Sequence, residues 1–91
     1  MQRQPAADPR APALEWTDHA RRQLQRRGIA EEFVRQIVAA PHYTQRRADG
    51  RIAYVHRVLD ASGDWYRYIK VVAEEGSPQL VITVYDRDSR G

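Results

Sequence analysis

At Pro41 the hydrophobic period of this 91-residue chain changes, and that change restricts its possible folds more than any other feature. Before it, Phe33, Val34, Ile37 and Val38 form a helical stripe behind Glu31 and Glu32, over about Ala30 to Ala39, and Pro41 stops the pattern. After it, the period is two. Arg51–Leu59, Trp65–Glu74 and Gln79–Asp86 are rich in Val, Ile, Tyr and Trp. Turn signals separate them: Ala48-Asp49-Gly50, the run Asp60-Ala61-Ser62-Gly63-Asp64, and Glu75-Gly76-Ser77-Pro78. Tyr43–Arg46 reads as a fourth, edge strand. Helices first and strands after, with short connections, imply an α+β domain. The expected layout is two N-terminal helices packed on one face of a three- to four-stranded antiparallel sheet.

The first helix is expected to start at Thr17 as N-cap and to end at Gly28, where a left-handed residue can close it. Its apolar stripe is narrow, only Ala20 and Leu24, so Trp16 and Ile29 outside its ends are expected to anchor it. Residues 1–13 read as a disordered tail, with Pro5, Pro9 and Pro12 among polar residues and no apolar period. The domain is then residues 14–91.

Charge distribution points toward an anionic partner. Of 15 cations 14 are Arg; residues 1–50 carry nine Arg against six acids, and residues 51–91 carry six cations against six acids. The net charge of +3 therefore lies in the first half, concentrated at Arg21, Arg22, Arg26 and Arg27. Arg forks match phosphate oxygens two at a time. A solvated helix face is the alternative, and for Arg27 an ion pair with Glu31 or Glu32. The chain has no cysteine, hence no disulfide, thiol nucleophile or thiolate metal site. No apolar run approaches the roughly 18 residues of a membrane span, and no apolar leader opens the chain. A cytoplasmic domain, free-standing or released from a larger carrier, without metal or cofactor, is the expectation.

Alternation assigns the strand faces. Ile69 and Val71, with Leu80, Ile82 and Val84, are expected to face the helices. That leaves Tyr66, Tyr68, Lys70, Thr83, Tyr85 and Arg87 on the open face. The strand Arg51–Leu59 fits either way: one register adds Tyr54 and His56 to the open face, the other adds Arg57. Rings interleaved with cations suit RNA, whose bases stack while cations follow the phosphates. Tyr and Lys also cover the solvent face of many ordinary sheets.

The segment Trp16-Thr17-Asp18-His19-Ala20, then Arg27-Gly28-Ile29 and Glu31-Glu32-Phe33-Val34, resembles a bacterial pattern completed by Ala40-Pro41 and Val81-Ile82-Thr83-Val84-Tyr85. Together these resemble the domain-of-unknown-function 4258 family over about residues 14–87. That family is similar in element order to RelE/ParE toxins and falls near the small ribonuclease folds that include barnase and the colicin nuclease domains. The resemblance implies a RelE-like fold whose open face can hold RNA. His19, Arg27, Gly28, Thr83 and Tyr85 match recurring family positions, whereas Gln23 stands where the pattern usually has Arg.

Read this way, the chain is an RNA-directed small domain, a toxin-type endoribonuclease acting without metal. Cleavage needs a base at the ribose 2′-hydroxyl, an acid at the leaving oxygen and cations for the developing charge. The catalytic candidates are His19, Lys70, Tyr85 and His56, with His42 weaker. The RNA-binding candidates are Arg22, Arg26, Arg27, Arg57, Tyr68 and Thr83. RNA or the ribosome is the expected target, with an acidic antitoxin or immunity protein as the partner that covers the basic face. Two rival readings are a non-catalytic interaction or nucleic-acid-binding domain of the same fold, and a DNA-binding accessory module. Phosphate loops, serine-hydrolase elbows and His-x-x-x-His pairs do not occur.

Overall fold

The computed structural model describes residues 13–59, 62, 66–76 and 78–88. Of the expected tail at residues 1–13 only Ala13 is described, its carbonyl accepting the Gln79 N–H at 3.0 Å; residues 1–12, Trp65 and most of the 60–64 turn lie outside the described residues. The elements are β1 (Leu14–Trp16), α1 (Asp18–Arg27), α2 (Glu31–Ala39), β2 (Tyr43–Arg46), β3 (Arg51–Leu59), β4 (Tyr66–Glu74) and β5 (Gln79–Asp88). Among the described residues no helix is long and apolar enough to cross a membrane.

Local chemistry sets both ends of α1. Thr17 accepts the Ala20 N–H at 3.0 Å, satisfying one of the helix's unpaired donors, and Asp18 places negative charge at the positive dipole end. Gly28 closes the helix at φ 67°. Its N–H donates to the Gln25 carbonyl, and the Ile29 N–H to the Leu24 carbonyl, so the left-handed residue satisfies two end carbonyls. Ile29 is thereby turned into the core, 9% exposed. Helix α2 follows with Glu31 and Glu32 in its first turn and Val34, Ile37 and Val38 buried.

The sheet corrects the expected layout. It has five strands, ordered β1-β5-β4-β3-β2, and it is mixed. The antiparallel pairs β2–β3, β3–β4 and β4–β5 are joined by a parallel pairing of β1 to β5, with Leu14 opposite Gln79 and Trp16 opposite Val81. The fold is still α+β, but it is not the RelE-like arrangement of helices on a purely antiparallel sheet. The strand Leu14–Trp16 spans three residues, too few for a period to show. Its pairing comes from the open edge of β5, which offers hydrogen-bonding groups to the chain entering α1. The Thr17 N–H continues that ladder to the Val81 carbonyl, and the Thr17 hydroxyl donates to the Ile82 carbonyl at 3.0 Å.

A bulge also corrects the expected facing of β5. Val72 pairs with Thr83 and Ala73 with Val81, leaving Ile82 as the extra residue. Alternation slips by one there, so Val81 and Val84 both face the core and Leu80 faces away. The helix-side core joins Ala20, Leu24, Val34 and Ile37 to Tyr54, Ile69, Val71, Val81 and Val84. Fully burying an aliphatic side chain of this size contributes roughly 2 kcal/mol. Tyr54 is held by its hydroxyl, which accepts from Gln79 Nε2 at 2.9 Å.

Candidate nucleic-acid interface

Strand pairing divides the sheet residues between two faces. Tyr54 stands opposite Val71 and His56 opposite Ile69, so both look toward the helices. The register that adds Arg57 to the open face is the one observed. That face then carries Tyr43 on β2, Arg57 on β3, Tyr68 and Lys70 on β4, and Thr83, Tyr85 and Arg87 on β5. Ala53, Val55 and Val72 are buried on this side although no helix-side cluster includes them. Val55 lies in register between Tyr43 and Lys70.

Lys70 is the centre of the face. Its ammonium lies 5.6 Å from the Tyr68 ring centroid and 5.8 Å from that of Tyr85. The first spacing follows from two residues along one strand, the second from direct cross-strand pairing. A second pair stands beside it, with the Arg57 guanidinium 4.9 Å from the Tyr43 ring. Ring faces stabilise these cations but leave their hydrogen-bond donors open, so each remains available to a phosphate.

Ion pairing sorts the cations. Among the described residues Arg22, Arg26, Arg57, Lys70 and Arg87 have no carboxylate partner, while every other described Arg has one. Three of these five share the open face. Its described carboxylates stand toward the far end, with Glu74 bound to Arg51 and Glu15 opposite Leu80. The stretch around Lys70 is therefore basic and free of described acid, a surface that concentrates anions.

Helix α1 borders this face along β5. At its start His19 Nε2 lies 3.3 Å from Thr83 Oγ1. At its end Arg27 Nη1 donates to Asp86 Oδ1 at 2.8 Å, while Gln23 Oε1 accepts from Arg27 Nε at 2.9 Å. Arg27 is thus committed to Asp86, not to Glu31 or Glu32; Glu31 is held by Arg21 at 2.8 Å and more loosely by Arg35 at 4.0 Å. Gln23 orients the Arg27 fork. Arg22 and Arg26 are exposed, three and seven residues beyond His19 on the side away from Ala20 and Leu24.

The candidates therefore separate into groups. His19, Thr83, Tyr85, Lys70, Tyr68 and Arg57 occupy one surface, whereas Arg22 and Arg26 lie on the exposed side of α1. Arg27 serves as a tie between helix and sheet. His56 stands on the opposite face, stacked on His42 at 4.7 Å and edge-on to Phe33 at 5.2 Å. Partial burial first, then the His42 charge, holds the His56 imidazole below its ordinary range. His42 accepts the Arg57 backbone N–H through Nδ1 at 2.8 Å, which caps the uncovered edge of β3. Sequence reasoning missed Tyr43, because its partnership with Arg57 depends on how β2 pairs with β3. Among the described residues, no group of three or more His, Cys, Asp or Glu gathers that could hold a metal ion.

No curated protein and no solved structure matches the chain, and the expected similarity to RelE/ParE toxins finds no support. The model of one family, described as a domain of unknown function, DUF4258, matches residues 16–86, from the end of β1 to the Asp86 that holds Arg27. The chain belongs to the DUF4258 family.

Proposed function

We propose that the open face of the sheet binds single-stranded RNA. The observation that carries this reading is Lys70, unpaired with any described carboxylate and set between the rings of Tyr68 and Tyr85. Two bases can stack on the rings while the ammonium takes the phosphate between them. Arg57 and Arg87 extend the cationic track, and the unpaired Arg22 and Arg26 on α1 add positive charge. The experiment is equilibrium binding of a fluorescent single-stranded RNA at a series of salt concentrations. Affinity is expected to fall linearly on logarithmic axes as salt rises. Absence of binding at the lowest salt overturns the reading and leaves a protein-interaction surface, to which an acidic partner is the complementary match.

A second reading, cleavage of the bound strand, draws on the position of His19 at the rim of the same face, against Thr83. In this reading a base removes the 2′-hydroxyl proton, the freed oxygen attacks the adjacent phosphorus, and the 5′-oxygen leaves with a proton from an acid. His19 serves as base or acid, Tyr85 as a proton donor and Lys70 as the neutralising cation. Purified protein is then expected to cut RNA in EDTA, on free strands or on translating ribosomes, leaving 2′,3′-cyclic phosphate ends. Uncut RNA in both assays overturns cleavage and leaves binding standing.

A further inference from the structure

We infer that Thr83 and His19 read the ribose 2′-hydroxyl of a nucleotide stacked on Tyr85, so that the face prefers RNA to DNA. The inference rests on the reading that this face binds single strands, and it names the group that selects among them. Phosphate contacts and ring stacking do not themselves make that selection, because phosphates and base faces are common to both nucleic acids. The 2′-hydroxyl is the distinguishing group, and its recognition needs a donor or acceptor beside the sugar.

Geometry places such a group at one position. On its face Tyr85 stands directly across from Lys70 and two residues from Thr83 and Arg87 along β5. Lys70 and Arg87 are cations and take phosphates, whereas Thr83 offers a short, neutral hydroxyl that His19 holds in place. Thr83 lies two residues from Tyr85, roughly 7 Å along the strand. That is within reach of a ribose whose base rests on the Tyr85 ring. Thr83 is half-buried rather than enclosed, and among the described residues β1 ends at Trp16, opposite Val81, so no described strand pairs with the outer edge of β5 at Thr83.

His19 makes the hydroxyl selective. Its Nε2 lies 3.3 Å from Thr83 Oγ1, and the pair works in either imidazole tautomer. If Nε2 carries the proton, Thr83 accepts from it and points its own hydrogen at the ribose oxygen. If Nε2 is bare, Thr83 donates to it and presents a lone pair to the ribose hydrogen. In both states one hydrogen bond to the 2′-hydroxyl remains, with Thr83 held in orientation by the helix.

The test compares matched single strands of RNA, 2′-deoxy and 2′-fluoro sugars at one low salt concentration, with strand length checked after each titration. The wild type is expected to bind RNA roughly five- to tenfold more tightly than the deoxy strand, the size of one partly exposed hydrogen bond. The 2′-fluoro strand, which cannot donate, should fall with the deoxy strand or between the two. Thr83→Val is expected to abolish the preference by weakening RNA alone, Thr83→Ser to keep it, and His19→Ala to reduce it. Tyr68→Ala should weaken RNA and DNA by equal factors. Equal wild-type affinity for RNA and DNA, or a preference that survives Thr83→Val, overturns this inference while leaving single-strand binding intact. Failure of every strand to bind overturns both.

Discussion

Arg27, in the last turn of α1, donates to Asp86 on β5 across 2.8 Å, and Arg67 approaches the other oxygen of the same carboxylate at 3.7 Å. Asp86 thus gathers a helix and two strands at one point, with Gln23 steering the nearer guanidinium. Its charge is spent inside the fold. Arg27→Ala is expected to cost about 1 kcal/mol of stability in urea unfolding, as suits a half-exposed ion pair. The same variant should leave the salt dependence of RNA binding unchanged, because a cation already neutralised by a carboxylate releases no counterion on binding.

The unpaired cations should behave in the opposite way. Lys70→Ala is expected to lower the salt slope by about one unit, and the Arg22→Ala/Arg26→Ala pair by about one to two. Arg21→Ala is the internal control, since Glu31 holds that guanidinium at 2.8 Å. Tyr68→Ala should weaken binding by roughly 1–3 kcal/mol with little change in slope, because stacking carries no charge. Slopes that follow the total number of Arg removed, irrespective of pairing, would sink this account.

Thr17 supports two elements through one hydroxyl, which accepts from Ala20 and donates to Ile82. Thr17→Val loses the helix cap and leaves a strand carbonyl unsatisfied, at a cost of about 2 kcal/mol. Thr17→Ser should recover most of it. Gly28 acts at the far end of the same helix. An added Cβ there meets nothing within 4 Å, yet φ is +67°, so Gly28→Ala should still cost about 1 kcal/mol through backbone strain alone.

Acid should weaken the fold through His56. Its imidazole is held below the ordinary value of 6.5, chiefly by burial and then by the charge of His42. The folded state therefore takes up this proton less readily than the unfolded chain. Stability from this group is complete above about pH 6.5 and is lost as pH falls through the lower folded value. Melting temperature is expected to decline on that interval and to flatten there in His56→Phe. Asp49, held below 3.8 mainly by the Arg51 N–H, contributes stability above that value, which is lost at still lower pH. Asp49→Asn separates the two windows.

Local features were legible in the sequence because local chemistry produces them. Thr17, Gly28 and Pro41 bound the two helices through caps and a missing donor, and these effects involve residues a few positions apart. The same holds for the hairpin strands, whose alternation and turn residues mark β2 through β5. The grouping of Tyr68, Lys70 and Tyr85 on one face also follows from alternation within single strands.

Everything that depends on which segments pair was settled by tertiary structure. β3 carries apolar residues on both sides, so only the pairing of Tyr54 with Val71 and of His56 with Ile69 decides that His56 lies under α2 and Arg57 on the open face. The bulge at Ile82 lets Val81 and Val84 share the core, against strict alternation. Leu14–Trp16 becomes a parallel strand because the edge of β5 is there to receive it, a partner 65 positions away in sequence. Composition and period act over a few residues; register, bulges and sheet edges are long-range choices, made where the chain can bury Val81 and Val84, pack Trp16 against their core and still satisfy its backbone.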